Sequence, residues 1–366
     1  MQRQVKTLAE VAHEINEEEI GKMQNFNRNT GYFLSNFRAG RGFEFSDTKI
    51  GIKMNFRGTN QPNSFGYFKS KKGYNTKFKN TKEHANHYGE YISSIILKQL
   101  GKNACKVDLG VATIKHPYTN KDIELEGCLS HFQLSESQIM FGANVVIDGF
   151  KTSAPKKYRE LSQRGKSDSD QNFTNIELIL EVFEHKFRSL GQPGKIPNVR
   201  KQIFDMCAFD LIYANRDRHD ENFGIRIDQL TDDVDFYPLF DNEQILGFQE
   251  DKKTVISLLS NEKAFQKFKE ENLTSCIGIP GKIQKIKPTE LLEYLLEKYP
   301  DEILSSIQDI RAYKLSDLEE LMDTCEGLFD EHKQFAKKIY LDREKDLNEV
   351  IDKYKKKKEE ATLEER

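Results

Sequence analysis

The 366-residue chain has no CxxC pair, no basic excess and no apolar run near the roughly 20 residues that a membrane-spanning helix needs. Its five cysteines, Cys105, Cys128, Cys207, Cys276 and Cys325, are odd in number and scattered, which excludes a disulfide framework and a structural zinc site. Five reduced, mostly buried thiols are expected. Lys and Arg number 56 against 59 Asp and Glu, a net charge of −3 with the two signs interleaved. That balance lacks the footprint of a nucleic-acid binder, so no direct nucleic-acid partner is expected. Residues 1–23 are polar and acidic with no apolar core, unlike a secretory signal. No membrane span and a cytoplasmic location are expected, although export by a specialised route would leave no mark of this kind. Apolar residues make up only 37%, but 25 Phe and 14 Tyr supply large buried areas, enough for a packed core.

The pattern changes along the chain. Residues 1–24 carry Leu8, Val11, Ile15 and Ile20 on one stripe, a short helix. Between about 31 and 80, short alternating stretches such as Lys49-Ile50-Gly51-Ile52-Lys53-Met54 and Phe65-Gly66-Tyr67-Phe68-Lys69 are separated by Gly, Asn and Pro. The turn at Lys71-Lys72-Gly73-Tyr74-Asn75 predicts a hairpin of 66–70 with 76–80. Tyr88, Ile92, Ile95, Ile96 and Leu100 predict a helix stopped by Gly101, and 106–115 and 123–132 read as strands. Beyond 141 the chain turns helical, with helices at 175–190, 200–213, about 255–270, 288–297, 315–329 and 330–354 and a charged, frayed tail from 355. The outline is α+β: residues 1–30 a helical extension, 31–135 a small β-rich lobe, 136–366 a larger helical lobe.

The densest chemistry is Asn215-Arg216-Asp217-Arg218-His219-Asp220-Glu221-Asn222-Phe223-Gly224, directly after the apolar helix 200–213. A second acidic point follows in Tyr237-Pro238-Leu239-Phe240-Asp241-Asn242. Phosphoryl transfer explains these residue types. The protein must position an attacking hydroxyl, take its proton and neutralise phosphate charge. One carboxylate does the first two, while an amide oxygen and a second carboxylate hold magnesium. Protein kinases place the base and the amide five residues apart and the second carboxylate at a later strand end. Asp217 and Asn222 keep that step, and Asp241 follows a predicted hairpin of 223–227 with 234–239.

The stretch from Phe209 to Gly224, with Pro238-Leu239-Phe240-Asp241-Asn242, resembles bacterial HipA-like serine/threonine kinases, especially their stand-alone, CtkA-type members. Glu126-Gly127-Cys128-Leu129-Ser130-His131-Phe132 is similar to the strand and hinge between the lobes of that family. The likeness spans about 45–350 and is densest at 205–245. It implies a two-lobed protein-kinase-like fold, ATP and Mg2+ as nucleotide and cofactor, and a protein hydroxyl as acceptor. It also implies roles: Asp217 as base, His219 as support for the catalytic loop, Asn222 and Asp241 as metal ligands, and Ser130, His131 and Phe132 at the nucleotide. The N-terminal region is expected not to match the extra N-terminal subdomain of the toxin-type proteins, being too short and too different, and no Ala-Pro-Glu segment follows Asp241.

Such an enzyme needs a strand lysine held by a helix glutamate. Lys79, on the second strand of the predicted hairpin, with Glu90 is the preferred pair; Lys77 shares its face, and Lys69 ranks behind. The loop 57–64, with Gly58, Thr59 and Ser64, stands where a phosphate-covering loop belongs, and its Thr59 and Ser64 are candidate autophosphorylation sites. Two other readings stay open: a kinase acting on a lipid or small molecule, because the Asp-Arg-His-x-x-Asn string also occurs in phosphoinositide-kinase-like enzymes, and a catalytically silent nucleotide-binding interaction protein.

Overall fold

In a computed structural model the chain is described at residues 31–32, 49–54, 64–70, 84–115, 122–131, 133–135, 137–162, 174–282 and 286–364. The helix expected at 1–24, the strand expected at 76–80 and the loop 57–63 lie outside these residues.

Five antiparallel strands form the first sheet: β1 (Gly31–Tyr32), β2 (Lys49–Met54), β3 (Ser64–Ser70), β4 (Val107–Lys115) and β5 (Asp122–His131), in the order β1-β2-β3-β5-β4. β3 is central. It pairs with β2 along one edge, Lys49 opposite Lys69, and with β5 along the other, Lys69 opposite Cys128. Both edges of Gly66–Lys69 are therefore occupied, and the predicted hairpin of 66–70 with 76–80 is overturned. Helix α1 (Asn86–Gln99) packs on β4 and β5 through Ile92, Ile96 and Leu97, all below 1% exposed.

A second sheet follows, β6-β8-β9, from β6 (Gln138–Gly142), β8 (Gly224–Asp228) and β9 (Val234–Phe236). The β8–β9 hairpin matches the pairing expected between the two acidic segments. Between β6 and β8 come α2 (Ala143–Ser153), α3 (Pro155–Ser162), β7 (Thr174–Asn175), α4 (Ile176–Ser189) and α5 (Ile196–Ile212). The Asn175 side chain accepts the Leu178 N–H at 3.0 Å and starts α4, and Gly191 at φ 72 lies just beyond its end. Phe183 of α4 stacks on Phe223 and meets Phe236, ring centroids 5.9 and 5.7 Å away, so α4 clamps the hairpin. Burying each such ring is worth about 1.5–3 kcal/mol.

The rest is helical: α6 (Lys252–Ser260), α7 (Glu262–Asn272), then after β10 (Ile277–Gly278), α8 (Pro288–Lys298), α9 (Pro300–Ile310), α10 (Leu315–Thr324) and α11 (Asp330–Glu364). The single helix expected at 255–270 is two, because Asn261 caps α7 by accepting from Ala264 N–H at 3.0 Å. The tail expected to fray from 355 stays helical to Glu364 on an exposed surface. Helix α9 was not foreseen, although Pro300 and the acids Asp301 and Glu302 form a strong helix start. All five cysteines are free, with Cys276 half-buried and the others buried. Among the described residues no helix is long and apolar enough to cross a membrane.

Candidate active site

Helix α5 is built from core residues; Phe204, Met206, Cys207, Phe209 and Ile212 are all below 1% exposed. It ends at Tyr213, and Ala214 at φ 52 throws the chain out of the helix. A left-handed alanine costs about 1–2 kcal/mol, and neighbouring bonds hold it there. Leu246 N–H donates to Tyr213 O at 2.8 Å, and Asn215 N–H donates to Asp210 O at 3.1 Å. The following loop is fixed through its backbone. Asn215 Oδ1 accepts the Asp217 N–H at 3.1 Å, and the Asp217 carbonyl accepts from His219 N–H at 2.9 Å and from Asn222 Nδ2 at 2.6 Å.

Asn222 thus spends its NH2 on the loop, and its Oδ1 has no hydrogen-bond partner among the described residues. His219 Nδ1 accepts the Glu221 N–H at 3.3 Å, which leaves the proton on Nε2, 3.8 Å from Asp217. Its ring thereby meets the loop backbone at Glu221.

Arg218 joins this loop to the second acidic segment. Its guanidinium is 1% exposed. It meets Asp210 at 3.0 and 3.1 Å, donates to Asn222 O at 2.9 Å and Phe240 O at 3.1 Å, and bonds Asn242 Oδ1. Burial works against its charge, but Asp210, helped by Asp241 and Glu90, outweighs that and keeps the pKa above its ordinary value. Sequence reading passed over Arg218; the signal was an arginine inside a loop that follows a core helix.

Asp241 has φ 56, a left-handed conformation that Asp and Asn tolerate better than most side chains. Its N–H donates to Glu90 Oε1 at 3.0 Å. Its carboxylate is paired with Lys69 of β3. The Lys69 ammonium also meets Glu90 at 3.4 Å and Glu243 at 3.0 Å, and its side chain is 6% exposed. Burial lowers its pKa, yet Asp241, Glu243 and Glu90 together hold it well above the usual value, so Lys69 is a fixed cation.

The lysine that the structure brings to Glu90 is Lys69, placed there by the central strand, where the sequence preferred Lys79. Lys79 and Lys77 fall outside the described residues, as do Gly58, Thr59 and Phe132. Ser64 opens β3 opposite Met54. Ser130 and His131 end β5, and their backbones pair with β3 and with the start of β4. His131 Nε2 bonds Asp108 at 2.7 Å, and that bond takes the Asp108 carboxyl down to about 2. Gln133, just beyond, gives its N–H to the Tyr237 hydroxyl at 3.1 Å.

Two further residues at the loop escaped sequence reading. Arg216 donates to Glu250 at 2.9 Å and to Gln244 at 3.3 Å, which anchors the residue before Asp217. Cys276 Sγ donates to Arg216 O at 2.7 Å, and burial, with Asp217 adding to it, pushes the thiol up to about 12, so an inert thiol stands beside Asp217.

Helix α1 approaches the Asp241 segment closely. Ala85 N–H donates to Phe248 O at 2.9 Å, and a methyl on Gly89 would overlap the Glu243 carbonyl. Alanine normally gains about 1 kcal/mol over glycine inside a helix. Gly89→Ala is expected to do the reverse, lowering the melting temperature as α1 lifts Glu90 from Lys69. A rise in melting temperature would show that α1 has room to spare.

The cluster is suited to holding a triphosphate against an acceptor: one buried ammonium, a carboxylate and an amide oxygen that are hard ligands for Mg2+, and a second carboxylate on an anchored loop. Among the described residues no three His, Cys, Asp or Glu side chains form a closed metal cage, and magnesium completed by phosphates and water needs only one or two protein ligands.

No family model and no curated protein matches the chain. The fold is similar to that of the Helicobacter pylori proinflammatory kinase CtkA, with a TM-score of 0.61 and 16% identity over 88% of this chain and 97% of that one. The HipA protein of the Shewanella oneidensis MR-1 toxin–antitoxin system, solved with HipB and operator DNA, is a second neighbour, with a TM-score of 0.47 and 13% identity over 92% of this chain and 72% of that one. The structural neighbours are thus HipA-like kinases, and at these identities the likeness is one of fold.

Proposed function

We propose that the chain is an ATP- and Mg2+-dependent serine/threonine protein kinase of the HipA-like class, with a small β-rich lobe and a larger helical lobe meeting at the Lys69 cluster. The carrying observation is that Lys69, Glu90 and Asp241 converge from a strand, a helix and a hairpin end, and that Arg218 ties them to the Asp217 loop. In this reading Lys69 leaves the Asp241 carboxylate for the nucleotide phosphates while Glu90 keeps it oriented. Asn222 Oδ1 and the Asp241 carboxylate would hold Mg2+, which supplies neutralisation of phosphate charge when bound. Asp217 takes the proton from the acceptor hydroxyl as the new O–P bond forms and the β–γ bridge breaks, releasing ADP. The acceptors are Ser or Thr of a protein substrate and of the chain itself, with Thr59 and Ser64 as candidate autophosphorylation sites. A cytoplasmic location fits this chemistry.

The test is incubation with γ-labelled ATP and Mg2+, with and without a lysate, followed by gel separation and mass spectrometry. Label on protein Ser or Thr is expected. Label confined to added lipid would assign the enzyme to lipids instead, and no transfer at all would leave a silent nucleotide binder. Asp241→Asn keeps the left-handed backbone and removes one charge. It should raise the magnesium requirement about tenfold or more; an unchanged requirement would move the metal to other residues.

A further inference from the structure

A small cavity, walled more by apolar than by polar atoms, lies behind the Asp217 loop. Its wall includes Asp210, Asn215, Thr274, Ser275, Pro288 and Arg343. Arg343, on α11, is 3% exposed. Of its five N–H donors it commits one nitrogen to a protein acceptor, Nη2 to Leu273 O at 3.0 Å, and it makes no ion pair among the described residues. The acids nearest on its own helix, Asp342 and Asp346, are engaged by Lys269 at 2.6 and 2.7 Å. On the far wall Asp210 spends its carboxylate on Arg218 and Asn215. Burial draws the guanidinium down to about 10, against a weaker pull from Asp346 and Asp342, so it remains charged at neutral pH.

Two more features face the same space. Pro288 and Leu291 belong to the first turn of α8, whose N-cap, Lys287, makes no side-chain cap; that turn also carries Glu290, which Lys282 engages. Thr274 lines the cavity, and its hydroxyl makes no hydrogen bond to a described residue. A buried cation without a paired counter-charge is costly.

We propose that this cavity binds a small inorganic monoanion of the halide class, held by Arg343 and Thr274. The same cavity is lined by Asn215, whose Oδ1 fixes the Asp217 backbone, so the bound anion would brace the floor of the Asp217 loop. The site stands on geometry independent of the reaction assigned to the chain.

Thermal unfolding of the full chain tests it, with sodium bromide exchanged for sodium gluconate at constant pH and ionic strength. The wild type should gain a few degrees, roughly the linkage expected of a site filled well above its dissociation constant, and the gain should saturate. Arg343→Met should abolish the bromide response, and Thr274→Val should move its midpoint to higher bromide. Crystals grown in bromide should show its anomalous signal within hydrogen-bonding reach of Arg343. Equal melting in bromide and gluconate, or a bromide response that survives in Arg343→Met, overturns the proposal. Should Arg343→Met not fold, an unchanged midpoint in Thr274→Val together with no anomalous signal at Arg343 overturns it equally.

Discussion

Lys69→Met is expected to lower kcat/KM for ATP by about 10^2–10^3-fold, the usual cost of removing one preorganised group that meets developing charge. Lys79→Met should change it little. The difference follows from the sheet: β3 has neighbours on both edges, and Lys69 projects from it to three carboxylates. Methionine keeps much of the length and loses the charge, so Glu90, Asp241 and Glu243 would face one another uncompensated. Breaking a buried pair in this way costs about 3–5 kcal/mol, so the melting temperature should fall as well. Lys69→Arg, which keeps the charge, separates the two effects by retaining stability while losing the compact ammonium. The Lys69 assignment fails if Lys79→Met is the more damaging change in steady-state kinetics with ATP varied.

Asp217→Asn should reduce kcat by about 10^2–10^4-fold, the span for loss of a positioned general base, with ATP affinity nearly unchanged. The loop is anchored by Asn215 Oδ1, His219 N–H and Asn222 Nδ2, all bonded to the backbone of Asp217, so the isosteric amide keeps the loop in place. Single-turnover phosphotransfer beside nucleotide titration separates the two quantities. A near wild-type rate would remove Asp217 from the chemistry, and a large loss of ATP binding would place it at the nucleotide instead.

The Asp217 loop and its hairpin were legible because their signals are local. An apolar helix ending in a run of polar residues announces a buried element that opens into a site, and a strand pair ending in Asp241 needs only adjacent segments. The ammonium was not legible for the opposite reason. Lys71-Lys72-Gly73-Tyr74-Asn75 carries a real turn signal, but the partner of β3 is chosen by the whole sheet, and β5 lies some sixty residues away. Glu243 and Arg218 were missed on similar grounds, since each looks like a surface charge until long-range contacts bury it. The break at Asn261 was legible in principle, since an asparagine between two amphipathic stretches is a helix cap.

Arg218 has a consequence for how the molecule opens. One guanidinium closes the loop at Asn222 and the segment at Phe240 and Asn242. Freeing the loop alone would break one of the guanidinium's five hydrogen bonds and freeing the segment two, in a dry interior, at a cost of about 1–3 kcal/mol for each polar group left unmet. Amide hydrogens at 218–224 and 240–243 should then exchange with solvent as a single protected unit, far more slowly than the exposed end of α11. Under the proposed function, a molecule that has loosened there would lose acceptor activation and metal binding at once, so the population would divide into fully competent and silent molecules with none of intermediate rate.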